Sequence, residues 1–137
     1  MVTIRTGLIG DVATVLLFWK TATTEPSTTD DAASLGALIA HAPESLLLAV
    51  DGNEIVGSVI VGWDGWRATM YRLAVAPSHR RRRIASALIA EAERRLATWG
   101  ARRLHMIVAS DQGEAQTFWT ALGYEPTDQL RFVKSFA

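Results

Sequence analysis

Cysteine is missing altogether from the 137 residues. Its absence removes disulfide staples, thiolate nucleophiles and Cys-type zinc sites together, so no metal ligand set is expected. An excess of either charge is missing too, since fourteen basic residues balance fourteen acidic ones. The whole-protein field that would concentrate nucleic acid or anionic lipid is therefore not there, and neither a nucleic acid nor a membrane is expected as partner. Long apolar runs are lacking, and Met1 to Gly10 contains Arg5 and only a brief apolar patch. Membrane spanning and export are both against expectation. A cytoplasmic location is the reading that results, although zero cysteines suit any compartment.

Hydrophobic residues, by contrast, are abundant at 49%, with five Trp among them, so the apolar deficit that defines disorder does not apply. A chain of this length can bury a core without staples, and residues 1–137 read as one domain. Val2 to Thr6 alternates like a strand, and Asp11 stands as a cap before an apolar run to Trp19. Thr21 to Thr29 reads as a loop, after which Asp30 or Asp31 caps a helix to about His41. Ser45 to Val50 and Glu54 to Trp63 flank the turn Asp51-Gly52-Asn53 and spell a hairpin; Ala68 to Val75 follows the turn Asp64-Gly65 as a third antiparallel strand, stopped by Pro77. Ile84, Leu88, Ala92 and Leu96 recur every four residues, predicting a helix from Ile84 to Trp99 that Gly100 ends. Arg103 to Ala109 should then pair in parallel, Gly113 to Leu122 should form a short helix closed by Gly123, and Gln129 to Phe136 a final strand. This order indicates an α+β fold.

Against the neutral background one run stands out, His79-Arg80-Arg81-Arg82-Arg83, lodged between a strand and the first turn of the strongest helix. A helix start presents backbone N–H groups without internal partners at the positive end of the dipole, so a phosphate there receives several hydrogen bonds at once. Arginines make such bonds charge-assisted. A basic run is otherwise a solvated surface, but that surface has no use for the Pro stop, the abrupt strand end and the small Ala85 that frame this one.

The stretch Leu73-Ala74-Val75-Ala76-Pro77-Ser78-His79-Arg80-Arg81-Arg82-Arg83-Ile84-Ala85-Ser86-Ala87-Leu88 resembles the acetyl-coenzyme A signature of the Gcn5-related N-acetyltransferases. That signature reads Arg or Gln, two variable residues, Gly, one variable residue, then Gly or Ala, and Arg80, Arg83 and Ala85 fall at its fixed positions. Ala115-Gln116-Thr117-Phe118-Trp119-Thr120-Ala121-Leu122-Gly123-Tyr124 is similar to the later helix motif of the same superfamily. Asp64-Gly65, Arg67 and Tyr71 look like the small YpeA-like bacterial members. The resemblance implies a mixed, mostly antiparallel sheet of about six to seven strands with about four helices. It implies acetyl-coenzyme A as co-substrate and direct acetyl transfer to a primary amine of a small molecule or peptide. Main-chain groups along Leu73, Ala74 and Val75 would pair with the pantetheine arm. Amides and side chains of Arg80, Arg81, Arg82, Arg83, Ile84, Ala85 and Ser86 would hold the pyrophosphate, and Phe118 would line a wall beside the coenzyme.

Three departures accompany the match. Arg83 stands where the signature has glycine, so either its side chain points away while its N–H binds, or its guanidinium itself grips phosphate. Trp119 stands where many relatives carry a Tyr acid, and an indole N–H is not a usable acid. The third strand has no carboxylate base, which leaves Asp64 and Tyr71 as candidate catalytic groups, with His105 as a further titratable option. The aromatics Trp19, Trp63 and Trp66 are candidates for the acceptor pocket, with core packing as their alternative role. A coenzyme-binding module without turnover is the alternative function, and the apolar last strand would suit a homodimer contact.

Overall fold

The computed structural model describes residues 1–22, 27–107 and 113–136. They fall into two compact units, Met1–Met106 and Ile107–Ala137. The first carries a five-stranded sheet in the order β1 to β5, formed by Val2–Thr6, Leu46–Asp51, Glu54–Trp63, Ala68–Val75 and Leu104–His105. β1 to β4 pair antiparallel with one another in turn, and β5 runs parallel to β4. The expected parallel crossover is thus present, because a strand that follows a helix of this length must return in the same direction.

Helices α1 (Val12–Ala22) and α2 (Ala32–His41) pack with the sheet through Val15, Phe18, Trp19, Leu35 and Ile39, which meet Leu46, Leu48, Ile60 and Ala74. Asp11 does not cap α1 directly. It ends a short 3-10 turn, Ile9–Asp11, where its carboxylate accepts from the Leu8 amide at 2.8 Å and from both terminal nitrogens of Arg5 at 2.8 and 2.9 Å. Asp31 is the N-cap of α2, accepting from the Ser34 amide at 2.7 Å.

Helix α3 (Ile84–Thr98) buries the predicted stripe Ile84, Leu88, Ala92 and Leu96, together with Ile89, against β1 to β4. Its first turn lies close to the sheet over Gly57, where an added Cβ would stand 3.0 Å from Ile84 Cγ2 and from Leu88 Cδ1. The opposite face carries charge, with Glu91 receiving Arg94 at 2.8 and 2.7 Å and Arg95 at 2.8 Å.

In the second unit, α4 spans Gly113–Ala121 and ends where Gly123 takes a positive φ of 91°. Phe118 and Trp119 meet edge to face at 5.2 Å, and Trp119 and Tyr124 do so at 5.1 Å. The strand expected over Gln129–Phe136 does not form. No described strand pairs with these residues, and Leu130, Phe132, Val133 and Phe136 are exposed; alternation alone cannot make a strand without a partner to take its hydrogen bonds. The described sheet therefore has five strands rather than six to seven. Of the strand expected over Arg103–Ala109 only Leu104–His105 is formed among the described residues, and its last two positions lie outside them.

Candidate acyl-coenzyme site

The basic turn follows β4 through a short 3-10 turn, Pro77–His79, that is tied down from several sides. The Ala76 amide donates to Val56 C=O at 2.8 Å and the His79 amide to Ala76 C=O at 2.9 Å. His79 is buried at 7% exposure. Its Nε2 lies 2.9 Å from the Asp51 carboxylate, and its Nδ1 lies 2.7 Å from the Ser78 hydroxyl. The imidazole beside Asp51, with the N-terminal amine a weaker neighbour, holds that carboxyl below its ordinary range. The turn is thereby fastened to the β2–β3 hairpin before the arginines begin.

Arg81 and Arg83 both adopt left-handed backbone, with φ of 65° and 60°, while Arg82 between them does not. Alternation of this kind gathers successive N–H groups into a concavity of anion size. Arg83 is itself the N-cap of α3, with φ 60° and ψ 22° and no side-chain cap bond. The first intrahelical bond runs from the Ala87 amide to Arg83 C=O at 3.0 Å, so the amides of Ile84, Ala85 and Ser86 open the helix without an intrahelical acceptor. No acidic residue occupies that first turn.

The four guanidinium groups of Arg80 to Arg83 are exposed, and none pairs with a carboxylate among the described residues. Arg5, Arg72, Arg94 and Arg95, in contrast, all have acidic partners. A pyrophosphate fits this donor set: left-handed turn, open helix start and unneutralised cations converge on one place.

A second feature lies just upstream. β5 pairs with β4 only at Ala68 and Thr69, so from Met70 to Val75 one edge of β4 has no partner strand among the described residues. An extended chain bearing amide groups can add to such an edge like another strand. Leu73, Ala74 and Val75 lie on this open stretch, and it leads straight into the arginine turn. Sequence-predicted coenzyme residues 73–75 and 80–86 are thus brought onto one continuous path. Phe118 lies on α4 in the second unit, edge-on to Trp119.

The remaining candidates separate. Tyr71 is 54% exposed on β4, opposite Ile60. Its ring leans over Gly62, where an added Cβ would lie 3.3 Å from Tyr71 Cε2 and 2.8 Å from Thr69 Cγ2. His105 is exposed next to Thr69 across the β4–β5 pair. Tyr71, Thr69 and His105 therefore line one face of the sheet beside the open edge. Asp64 is occupied differently: its Oδ1 accepts from the Trp66 and Arg67 amides at 2.7 Å each. Those bonds, Arg67 first, hold its carboxyl below the ordinary range, which suits a turn-maker and weakens a base.

Trp19 is not a pocket residue. It is 3% exposed, and its indole N–H donates to Ser58 Oγ at 2.9 Å; a large ring at the middle of an amphipathic helix is pulled inward once its one polar atom has an acceptor. Trp63 ends β3 half-buried, and Trp66 is 74% exposed with the Arg67 guanidinium 4.4 Å from its ring centre. Sequence reasoning missed the link of Trp19 to Ser58 and Arg72, and of Arg72 to Asp30, because an Arg inside a strand and a Ser among apolar residues carry no periodic signal.

Residues 13–124 match the Acetyltransferase (GNAT) family. The chain belongs to that family. An acetyltransferase of Pectobacterium atrosepticum is 33% identical over 124 residues, covering 90% of this chain and 88% of the relative. An acetyltransferase of Yersinia pseudotuberculosis is 32% identical over the same shares of both chains. Among solved structures, Ard1 of Thermoplasma volcanium superposes with a TM-score of 0.81 at 24% identity, over 92% of this chain and 84% of its own. The aminoglycoside acetyltransferase AAC(6')-Iy, solved with a coenzyme A bisubstrate analogue, gives 0.78 at 20% identity over 100% and 99%. These structures establish the α+β GNAT fold for this chain. In this GNAT member Arg83, at the position of the signature glycine, holds a positive φ of 60°.

Proposed function

We propose that this protein is an acetyl-coenzyme A-dependent N-acetyltransferase that passes the acetyl group directly to a primary amine of a small molecule or peptide. One observation carries the reading: the edge of β4 at 70–75, open among the described residues, runs into a turn of four arginines, two of them left-handed and none ion-paired among the described residues, at an open helix start. That path matches the chemistry of a coenzyme with an amide-bearing arm and a pyrophosphate. Family membership and the coenzyme A complex of the neighbour AAC(6')-Iy support it.

The co-substrate would supply an activated acyl thioester; the chain's residues bind, orient and exclude. Amides of residues 81–86 and the arginine side chains hold the diphosphate, and main-chain groups of Leu73 to Val75 align the arm. The acceptor amine would approach over the face bearing Tyr71, Thr69 and His105; its nitrogen would form the C–N bond as the C–S bond breaks, and the proton it loses would pass through water, with the Tyr71 hydroxyl able to relay it, to the departing thiolate. No protein nucleophile takes part, in keeping with a chain that has no cysteine. The protein acts in the cytoplasm in this reading.

Isothermal titration with acetyl-coenzyme A, followed by free-thiol release over a panel of amines, tests the proposal. Binding that weakens as salt rises, and thiol release with at least one amine class, is the expected result. An absence of heat at millimolar ligand rejects the assignment, and binding without thiol release for any amine converts the protein into a coenzyme-binding module.

A further inference from the structure

Three arginines have positive φ, and one lies far from the anion turn: Arg72, in the middle of β4, with φ 53°. Left-handed backbone is disfavoured for an L-residue, and within a strand it must be imposed by surroundings. The register shows why it is there. Ser58 pairs with Ala74 and Ile60 with Tyr71, so two steps on β3 face three on β4, and the extra residue makes a bulge around Arg72 and Leu73.

Both the main chain and the side chain of that bulge are anchored. Ser58 Oγ donates to the Arg72 carbonyl at 2.9 Å, while Ser58 itself accepts from the Trp19 indole at 2.9 Å. Ser58 is fully buried and Trp19 is 3% exposed. The Arg72 guanidinium grips Asp30 with two bonds, Nε to Oδ1 at 3.0 Å and Nη2 to Oδ2 at 2.6 Å. Asp30 immediately precedes the α2 cap, and the guanidinium carbon lies 5.5 Å from the Trp19 ring. One chain of contacts thus links α1, the start of α2, β3 and the bulge.

A trans peptide group points its C=O and N–H in opposite directions. With the Arg72 carbonyl turned toward the Ser58 hydroxyl, the amide of Leu73 points away from that hydroxyl, on a strand whose edge has no partner there among the described residues. We propose that Arg72 is a positioning residue: with Asp30, Ser58 and Trp19 it locks the β4 bulge so that the Leu73 amide faces the acyl thioester. This rests on the acetyltransferase reading above. The bulge amide is a preorganised donor whose effect depends on its aim, and a donor aimed wrongly contributes little. Arg72 acts through the backbone and touches no reacting atom.

The test compares Arg72→Ala, Arg72→Gly, Arg72→Lys and Asp30→Asn with the wild type. Glycine keeps the left-handed conformation without strain but has no anchor, whereas alanine loses both. Two readouts are used, kcat against KM with a free amine that the wild type acetylates, and the ratio of acetyl-coenzyme A to coenzyme A affinity by calorimetry. The second needs no acceptor. Arg72→Ala and Asp30→Asn should lower kcat about tenfold or more, with coenzyme A affinity within about twofold because the phosphate turn is untouched. The preference for the acetylated ligand should fall in parallel, and Arg72→Gly and Arg72→Lys should each recover part of the loss. Folding is checked by circular dichroism, and Arg72→Gly remains informative if Arg72→Ala does not fold. Unchanged kcat and unchanged ligand preference in the variants overturn the inference alone. A uniform loss of affinity for both ligands also overturns it, since that marks a merely structural role. A wild type that binds no coenzyme A overturns the acetyltransferase reading, and this inference with it.

Discussion

Arg83 gives the sharpest quantitative handle on the phosphate turn. It holds φ 60° and ψ 22° at the N-cap of α3, its side chain is exposed, and it makes no ion pair among the described residues. Its conformation costs an L-residue about 1–2 kcal/mol, and glycine would be free of that cost but would release about 0.5–1 kcal/mol of extra chain entropy on unfolding. Arg83→Gly should therefore stabilise the protein by about 0.5–1 kcal/mol, a rise of about 2–4 °C in Tm for a chain of this size. Arg82→Gly is the internal control, because Arg82 lacks the positive φ; there only the entropy term acts and Tm should fall. Urea and thermal denaturation read both variants. Calorimetry with coenzyme A should show that Arg83→Gly loses less than about tenfold in affinity, since one charge-assisted contact goes while the amide stays. An Arg83→Gly protein that melts at or below the wild-type temperature would refute the reasoning, for it would show that the side chain and not the backbone conformation matters at this position.

Two further outcomes follow from the packing around α3. Glu91 sits between Arg94 and Arg95, whose bonds lower its carboxyl from 4.5 to about 2. A depressed carboxyl pKa means that the stabilisation is present above the unfolded value and disappears as pH falls from about 4.5 to about 2. Glu91→Gln should thus cost about 1 kcal/mol at neutral pH and nothing at the bottom of that window, as measured by denaturation at several pH values. Gly57→Val should cost about 1–3 kcal/mol, because even a Cβ there stands 3.0 Å from Ile84 and Leu88 and 3.1 Å from Ala49; as the helix start is displaced, coenzyme A affinity should fall too, while a wild-type Tm would contradict the close approach.

The elements that hold up from sequence are those whose signal is local. Val2–Thr6, the β2–β3 hairpin and the four-residue stripe of α3 depend on periodicity and turn chemistry, and the structure places them within a residue or two of expectation. The motif stretch 73–86 was legible for the same reason, since strand end, Pro, arginines and helix start are contiguous. Gln129–Phe136 was misjudged because a strand is a relation between segments and alternation describes only one of them. Trp19 was left between pocket and core because its role depends on Ser58, thirty-nine residues away, and nothing in either neighbourhood announces the pair. Arg72 was invisible as a bulge, since positive φ is inferred from glycine and this chain places arginine there.

The stretch of β4 that has no neighbour among the described residues has a consequence for handling the protein. A row of main-chain donors and acceptors left open at a sheet margin invites a second molecule's strand as readily as a cofactor's arm. Ligand that fills the margin removes that invitation, and by mass action it also favours the folded chain. Saturating coenzyme should therefore raise the concentration at which the protein begins to self-associate, so that its colloidal behaviour becomes an indirect gauge of occupancy.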